Sequence, residues 1–104
     1  VDTAMQELLS EHPDVDAIFA LNNHITTAIL KCLKKKEFAN FSDTLKIACF
    51  DDIELFNAIE KRVISVSQPV EEIGKNAIML LLDIIEQKQQ SKSKIILSTK
   101  LIER

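Results

Sequence analysis

Two pairs of polar side chains, Asn22-Asn23 and Asp51-Asp52, are the residues of this chain best suited to chemistry. Each pair follows a short apolar run. Ala17-Ile18-Phe19-Ala20-Leu21 precedes the first, and Lys46-Ile47-Ala48-Cys49-Phe50 precedes the second. An amide donates and accepts hydrogen bonds, and a carboxylate accepts several. Together these groups suit a ligand rich in hydroxyls or amides. The aspartates also read as a general acid/base pair or as part of a metal site. Either role needs convergent partners of the right kind and number. No histidine accompanies Asp51-Asp52 in sequence, and His12 and His24 read as solvated surface residues. The expectation is therefore a binding module with no catalytic residue, no metal and no cofactor, rather than an enzyme. Asn22 and Asn23 are also good helix N-caps, which is compatible with ligand contact.

The apolar runs read as strands of a parallel sheet. In such sheets ligands bind outside the carboxyl ends of the strands, where both polar pairs fall. The run over 17–21 is apolar throughout, as expected of a strand covered on both faces. Residues 3–10 read as a helix with Ala4, Leu8 and Leu9 on one face and Asp2 or Thr3 as its cap. After the first strand, Ile25, Ala28, Ile29, Cys32 and Leu33 recur at helical spacing. Lys31, Lys34, Lys35 and Lys36 then make a solvated face and cations suited to the helix C-terminus. Residues 38–44 read as a loop, 45–50 as the second strand, 52–59 as a short helix and 63–67 as the third strand.

Pro69 marks the end of that strand, because proline cannot donate to a ladder. Residues 70–87 read as a long helix whose apolar stripe includes Val70, Ile73, Ala77, Ile78, Leu81, Ile84 and Ile85. Leu80 and Leu82 widen it. Gly74 lies on the stripe, and a close helical partner would account for it. Residues 87–93 read as a polar loop and 94–102 as a last strand. The alternation of helix and strand predicts an α/β fold, a parallel sheet with flanking helices and right-handed crossovers.

Composition removes several function classes. A chain of 104 residues makes about one domain. With a net charge of −3 it lacks the clustered cations that phosphate backbones require. A single glycine excludes a P-loop or a dinucleotide fingerprint. No apolar run is long enough to span a membrane, and residues 1–13 do not read as a signal peptide. Cys32 and Cys49 sit in apolar stretches, as reduced thiols of a cytoplasmic protein would.

Three segments carry a family resemblance. Pro13-Asp14-Val15-Asp16-Ala17-Ile18-Phe19-Ala20-Leu21-Asn22-Asn23 resembles an apolar strand ending in Asn-Asp. Ile47-Ala48-Cys49-Phe50-Asp51-Asp52 resembles a strand ending Gly-Phe/Tyr-Asp-Asp. Ile64-Ser65-Val66-Ser67-Gln68-Pro69-Val70-Glu71-Glu72-Ile73-Gly74 resembles a Gln-Pro crossing segment. In this order and spacing they resemble the LacI/GalR transcription regulators, whose effector-binding core shares the type I periplasmic sugar-binding protein fold. The resemblance covers nearly the whole chain and corresponds to the C-terminal third of a family member.

The resemblance implies two α/β subdomains around a cleft that closes on a small effector, usually a sugar. DNA would be bound only through an N-terminal helix-turn-helix domain that these residues do not include. It implies that Asn22, Asp51, Gln68 and Val70 contact the effector. It also implies that the segment from Gln68 to Val70 crosses between subdomains, that the helix over 70–87 belongs to the N-terminal subdomain, and that the last strand returns to the C-terminal one. Family members dimerise through faces that correspond to Thr27, Leu30 and Lys31 and to Leu55, Phe56 and Ile59. The last three residues are open to a second reading as core. Three departures stand out. Asn23 replaces an Asp, Cys49 replaces a Gly, and Glu60-Lys61-Arg62 stands where prolines are usual. An exported sugar-binding protein for transport or chemotaxis, with the same fold, is the competing reading.

Overall fold

A computed structural model describes residues 1–87 and 94–104. Two compact units are present, one formed by Val1–Ser67 with Leu101–Arg104 and the other by Gln68–Lys100.

The first unit is an α/β layer. Its elements are α1 (Asp2–Glu11), β1 (Ala17–Ala20), α2 (Asn23–Leu33), α3 (Ala39–Ser42), β2 (Lys46–Phe50) and β3 (Val63–Ser67). The sheet order is β1-β2-β3-β4, with β4 spanning Lys100–Ile102. The pairs β1–β2 and β2–β3 are parallel, with Ala20 opposite Cys49 and Cys49 opposite Ser65.

Because side chains alternate across a strand, this register puts Ile18, Ala20, Ile47, Cys49, Val63 and Ser65 on one face of the sheet. Except for half-buried Ile18, these residues are buried. They pack with Met5 and Leu9 of α1, Ile29, Cys32 and Leu33 of α2, and Phe38, Leu45 and Phe56. Each large side chain here contributes about 1.5–3 kcal/mol of burial. The opposite face differs. Phe19 is 56% exposed and Ile64 41%. The expectation that β1 is covered on both faces is thus corrected: it is an edge strand with one covered face.

Other boundaries also shift. In α1 the buried residues are Met5 and Leu9, while Ala4 is exposed. Val1 occupies the N-cap, and no side chain caps the helix. Asp2 instead accepts from the Cys32 thiol at 2.9 Å and pairs with Lys35, tying α1 to the far end of α2. Residues 38–44 are not a loop. A 3-10 turn at Lys36–Phe38 leads into α3, because Phe38 drops into the core and Phe41 packs against it. The helix expected over 52–59 contracts to a 3-10 turn at Glu54–Asn57.

The second unit is dominated by α4 (Val70–Ile85). It starts at Pro69 and is supported on its surface by the Glu71–Lys75 pair at 3.2 Å and by Asn76 donating to the Glu72 carbonyl. Gln87, at φ 57, adopts the left-handed conformation that commonly terminates a helix. No α4 residue is buried, and Ile78, Met79, Leu81, Ile84 and Ile85 are all more than half exposed. A Cβ on Gly74 would meet nothing within 4 Å, so the close partner inferred for it is not found among the described residues. The last strand is three residues, since 94–99 are irregular. Most of the polar loop expected over 87–93 lies outside the described residues.

Candidate functional site

Strand register builds the site. Ala20 pairs with Cys49, and Asn22 and Asp51 each lie two residues beyond that pair. Both therefore leave the sheet together, at the carboxyl ends of adjacent parallel strands. Asn22 is half-buried and extended, at φ −160. Its Oδ1 accepts the Ile25 N–H at 2.9 Å and so caps α2. Its carbonyl accepts from the Thr26 N–H at 3.1 Å and from the Thr26 hydroxyl at 2.8 Å, which satisfies that fully buried threonine. The cap uses the oxygen of the amide, and the NH2 end is the donor with which Asn22 can meet a ligand. Asn23 begins the helix, and its carbonyl accepts from the Thr27 hydroxyl.

The two aspartates differ from each other. Asp51 is half-buried at φ 78, a left-handed conformation that only short polar residues and glycine adopt readily. Its amide donates to the Val66 carbonyl at 3.0 Å, and its own carbonyl accepts from the Cys49 thiol at 3.1 Å. Asp52 Oδ1 accepts from the buried Ser65 hydroxyl at 2.5 Å and pairs with Arg104 Nη2 at 2.8 Å. The Asp52 carboxylate is thus held by a hydroxyl and a guanidinium.

Arg104 was not singled out from the sequence. It carries no motif, and nothing in its neighbourhood links it to residue 52. Among the described residues no three His, Cys, Asp or Glu side chains come together as metal ligands. His12 and His24 are exposed. Burial, and then its hydrogen bond to Asp2, push the Cys32 thiol up to about 11. Burial also raises Cys49. Both shifts favour the protonated thiol over the thiolate.

Gln68 and Val70 lie in the second unit. Gln68 is half-buried and its carbonyl accepts from the Val70 amide at 2.9 Å; Val70 is 72% exposed at the start of α4. Within that unit, Gln68, Pro69, Ile73 and Leu80 line a depression of about 330 Å³ with Ile95 and Leu97.

The residues expected at a dimer face divide. Thr27, Leu30, Lys31, Leu55 and Ile59 line one open groove of about 1060 Å³ in the first unit. Phe56 does not join them. It is 1% exposed in the core with the Arg104 guanidinium 5.6 Å from its ring centre, so it is corrected to a core residue. Lys61, in the segment that replaces the usual prolines, donates to the Ser42 carbonyl at 2.7 Å and ties the approach to β3 to α3.

The periplasmic binding protein-like domain family matches residues 1–104. The transcriptional regulator CelR of Thermobifida fusca is 32% identical over 101 residues, covering 97% of this chain and 29% of that protein. The ribose operon repressor of Halalkalibacterium halodurans is 31% identical over 97 residues, covering 93% of this chain and 29% of the repressor. A solved CelR-cellobiose complex superposes with a TM-score of 0.81 at 31% identity, covering 97% of this chain and 31% of that one. The chain thus spans just under a third of the relatives it matches.

Proposed function

The chain belongs to the periplasmic binding protein-like domain family as it occurs in LacI/GalR-type regulators, and we propose that it is the effector-sensing part of a bacterial transcription repressor. The observation that carries this reading is the in-register placement of Asn22 and Asp51 at the ends of β1 and β2. An amide donor and a carboxylate acceptor, held at adjacent strand ends, match vicinal hydroxyls of a sugar. The cellobiose complex of CelR and the name of the ribose repressor support a sugar as the effector class.

In this proposal Gln68 and Val70 complete the effector contacts. The helix α4 belongs to the other subdomain of the regulator, a division supported by the separation of Gln68–Lys100 as its own unit. Effector binding changes the angle between subdomains and so the spacing of the DNA-binding heads, a hinge response in a cytoplasmic protein. The regulator pairs with a second copy through the groove of Thr27, Leu30, Lys31, Leu55 and Ile59, with Phe56 removed from that set. Other domains of the regulator make the DNA contact.

The test is operator release. Asp51→Ala in the regulator that carries this chain should bind operator DNA as the wild type does and fail to respond to the effector. A variant that releases operator at the wild-type effector concentration would exclude Asp51 from the site.

A further inference from the structure

We propose that Arg104 is a positioning residue for the ligand site, acting through Asp52 to hold Asp51 in the conformation that meets the ligand; this rests on the function proposed above. The left-handed backbone at Asp51 is less favourable for a residue with a Cβ than for glycine, and such conformations persist where the surroundings over-determine them. Asp51 itself is held through the Val66 carbonyl and the Cys49 thiol. The next residue is held too, where Ser65 and Arg104 grip the Asp52 carboxylate.

Arg104 is built to serve as the fixed end of that grip. Its Nε donates to Asn57 Oδ1 at 2.9 Å. Its Nη1 donates to the Ser65 hydroxyl at 2.9 Å and to the Val63 carbonyl at 3.3 Å. Its Nη2 pairs with Asp52, and the planar group lies over the Phe56 ring. All three guanidinium nitrogens are engaged, and its side chain is only 11% exposed. A lysine offers one compact charge and cannot reproduce a fork with three donor directions.

The network divides the labour between the two aspartates. Asp52 is the structural carboxylate, and Asp51 the ligand-binding one. It also joins the strand-end loop to β3 through Ser65 and to the segment after β4 through Arg104. The chain leaves the first unit after Ser67, at the end of β3, and re-enters it at Leu101, within β4.

The test compares wild type, Arg104→Lys and Asp52→Ala by amide NMR of the 104-residue chain. It adds calorimetric titration of the intact regulator with cellobiose and with D-ribose. A left-handed residue gives a strong intraresidue amide–Hα nuclear Overhauser effect, which reports Asp51 directly. Arg104→Lys should keep a dispersed spectrum and a cooperative melt, lose that Asp51 signal, and lose about tenfold or more in sugar affinity, the scale of one charged hydrogen bond. A folded Arg104→Lys chain with the Asp51 signal and the affinity unchanged overturns the proposal, because Arg104 would then serve only the fold. Should Arg104→Lys not fold, Asp52→Ala decides by the same signal, because it removes the carboxylate through which Arg104 acts: loss supports the proposal and persistence overturns it. Should the wild type take up neither sugar, the effector reading is what fails, and the Asp51 signal still decides the role of Arg104.

Discussion

The first unit and the helix of the second use similar apolar content in opposite ways. In Val1–Ser67 the residues on one sheet face are buried except for half-buried Ile18, and twelve apolar side chains form one cluster with none more than 6% exposed. In α4 a comparable stripe has no buried member. An apolar pattern specifies which side of an element seeks cover, and only the first unit supplies that cover among its described residues. The same contrast recurs within the sheet, between buried Ile47 and exposed Phe19.

Substitutions sharpen this contrast by their unequal cost. Phe56→Ala should be the most damaging, at about 3–5 kcal/mol, since it empties a core site and removes the surface beneath Arg104. Chemical denaturation of the 104-residue chain measures it, and a loss below about 1 kcal/mol would break the assignment of Phe56 to the core. Asn22→Ala should cost about 1 kcal/mol through the lost cap. Ile84→Gln should change stability by less than about 0.5 kcal/mol, because Ile84 is 63% exposed. A large loss there would mean that α4 is covered in the chain as it stands in solution.

The Cys32 thiol adds a pH-dependent term. The fold raises its pKa from 9.0 to about 11, so it favours the protonated thiol. That contribution is complete below pH 9.0 and is lost as the pH rises from 9.0 through about 11, where the unfolded chain ionises first. Cys32→Ala should flatten the alkaline fall in stability over this window, as read by denaturation at several pH values. An unchanged fall would assign it to other groups.

Much of the first unit was legible in the sequence because local patterns agree with the fold. The first three strands lie within a residue of their expected places, and α2 begins where expected but ends at Leu33, before Lys34, Lys35 and Lys36. The Asn22 cap was likewise readable. What failed depended on tertiary placement. Residues 38–44 contain Asn40, Ser42 and Asp43, which favour turns, and hold two phenylalanines that the core draws in, so the short helix over 39–42 reads locally as a loop. The alternation over 94–102 suggested a strand longer than the three residues that pair. An apolar run does not reveal whether both faces of its sheet are covered, and the face that carries Phe19 and Ile64 is the open one. Among the site residues, the motifs gave Asn22 and Asp51, and pairing put them side by side. The Asp52–Ser65–Arg104 network was not legible, because its members are separated by up to 52 positions and no spacing rule joins them.

The most direct test of the central claim is calorimetric titration of wild-type regulator and Asp51→Asn with cellobiose and D-ribose. Asparagine tolerates the left-handed backbone at this position, so the substitution removes the carboxylate charge while keeping its conformation. The account predicts that the wild type binds one of the two sugars and that Asp51→Asn binds it about 10- to 100-fold more weakly at an unchanged melting temperature. Equal affinity in the two proteins would contradict the assignment of Asp51 as the effector-binding carboxylate.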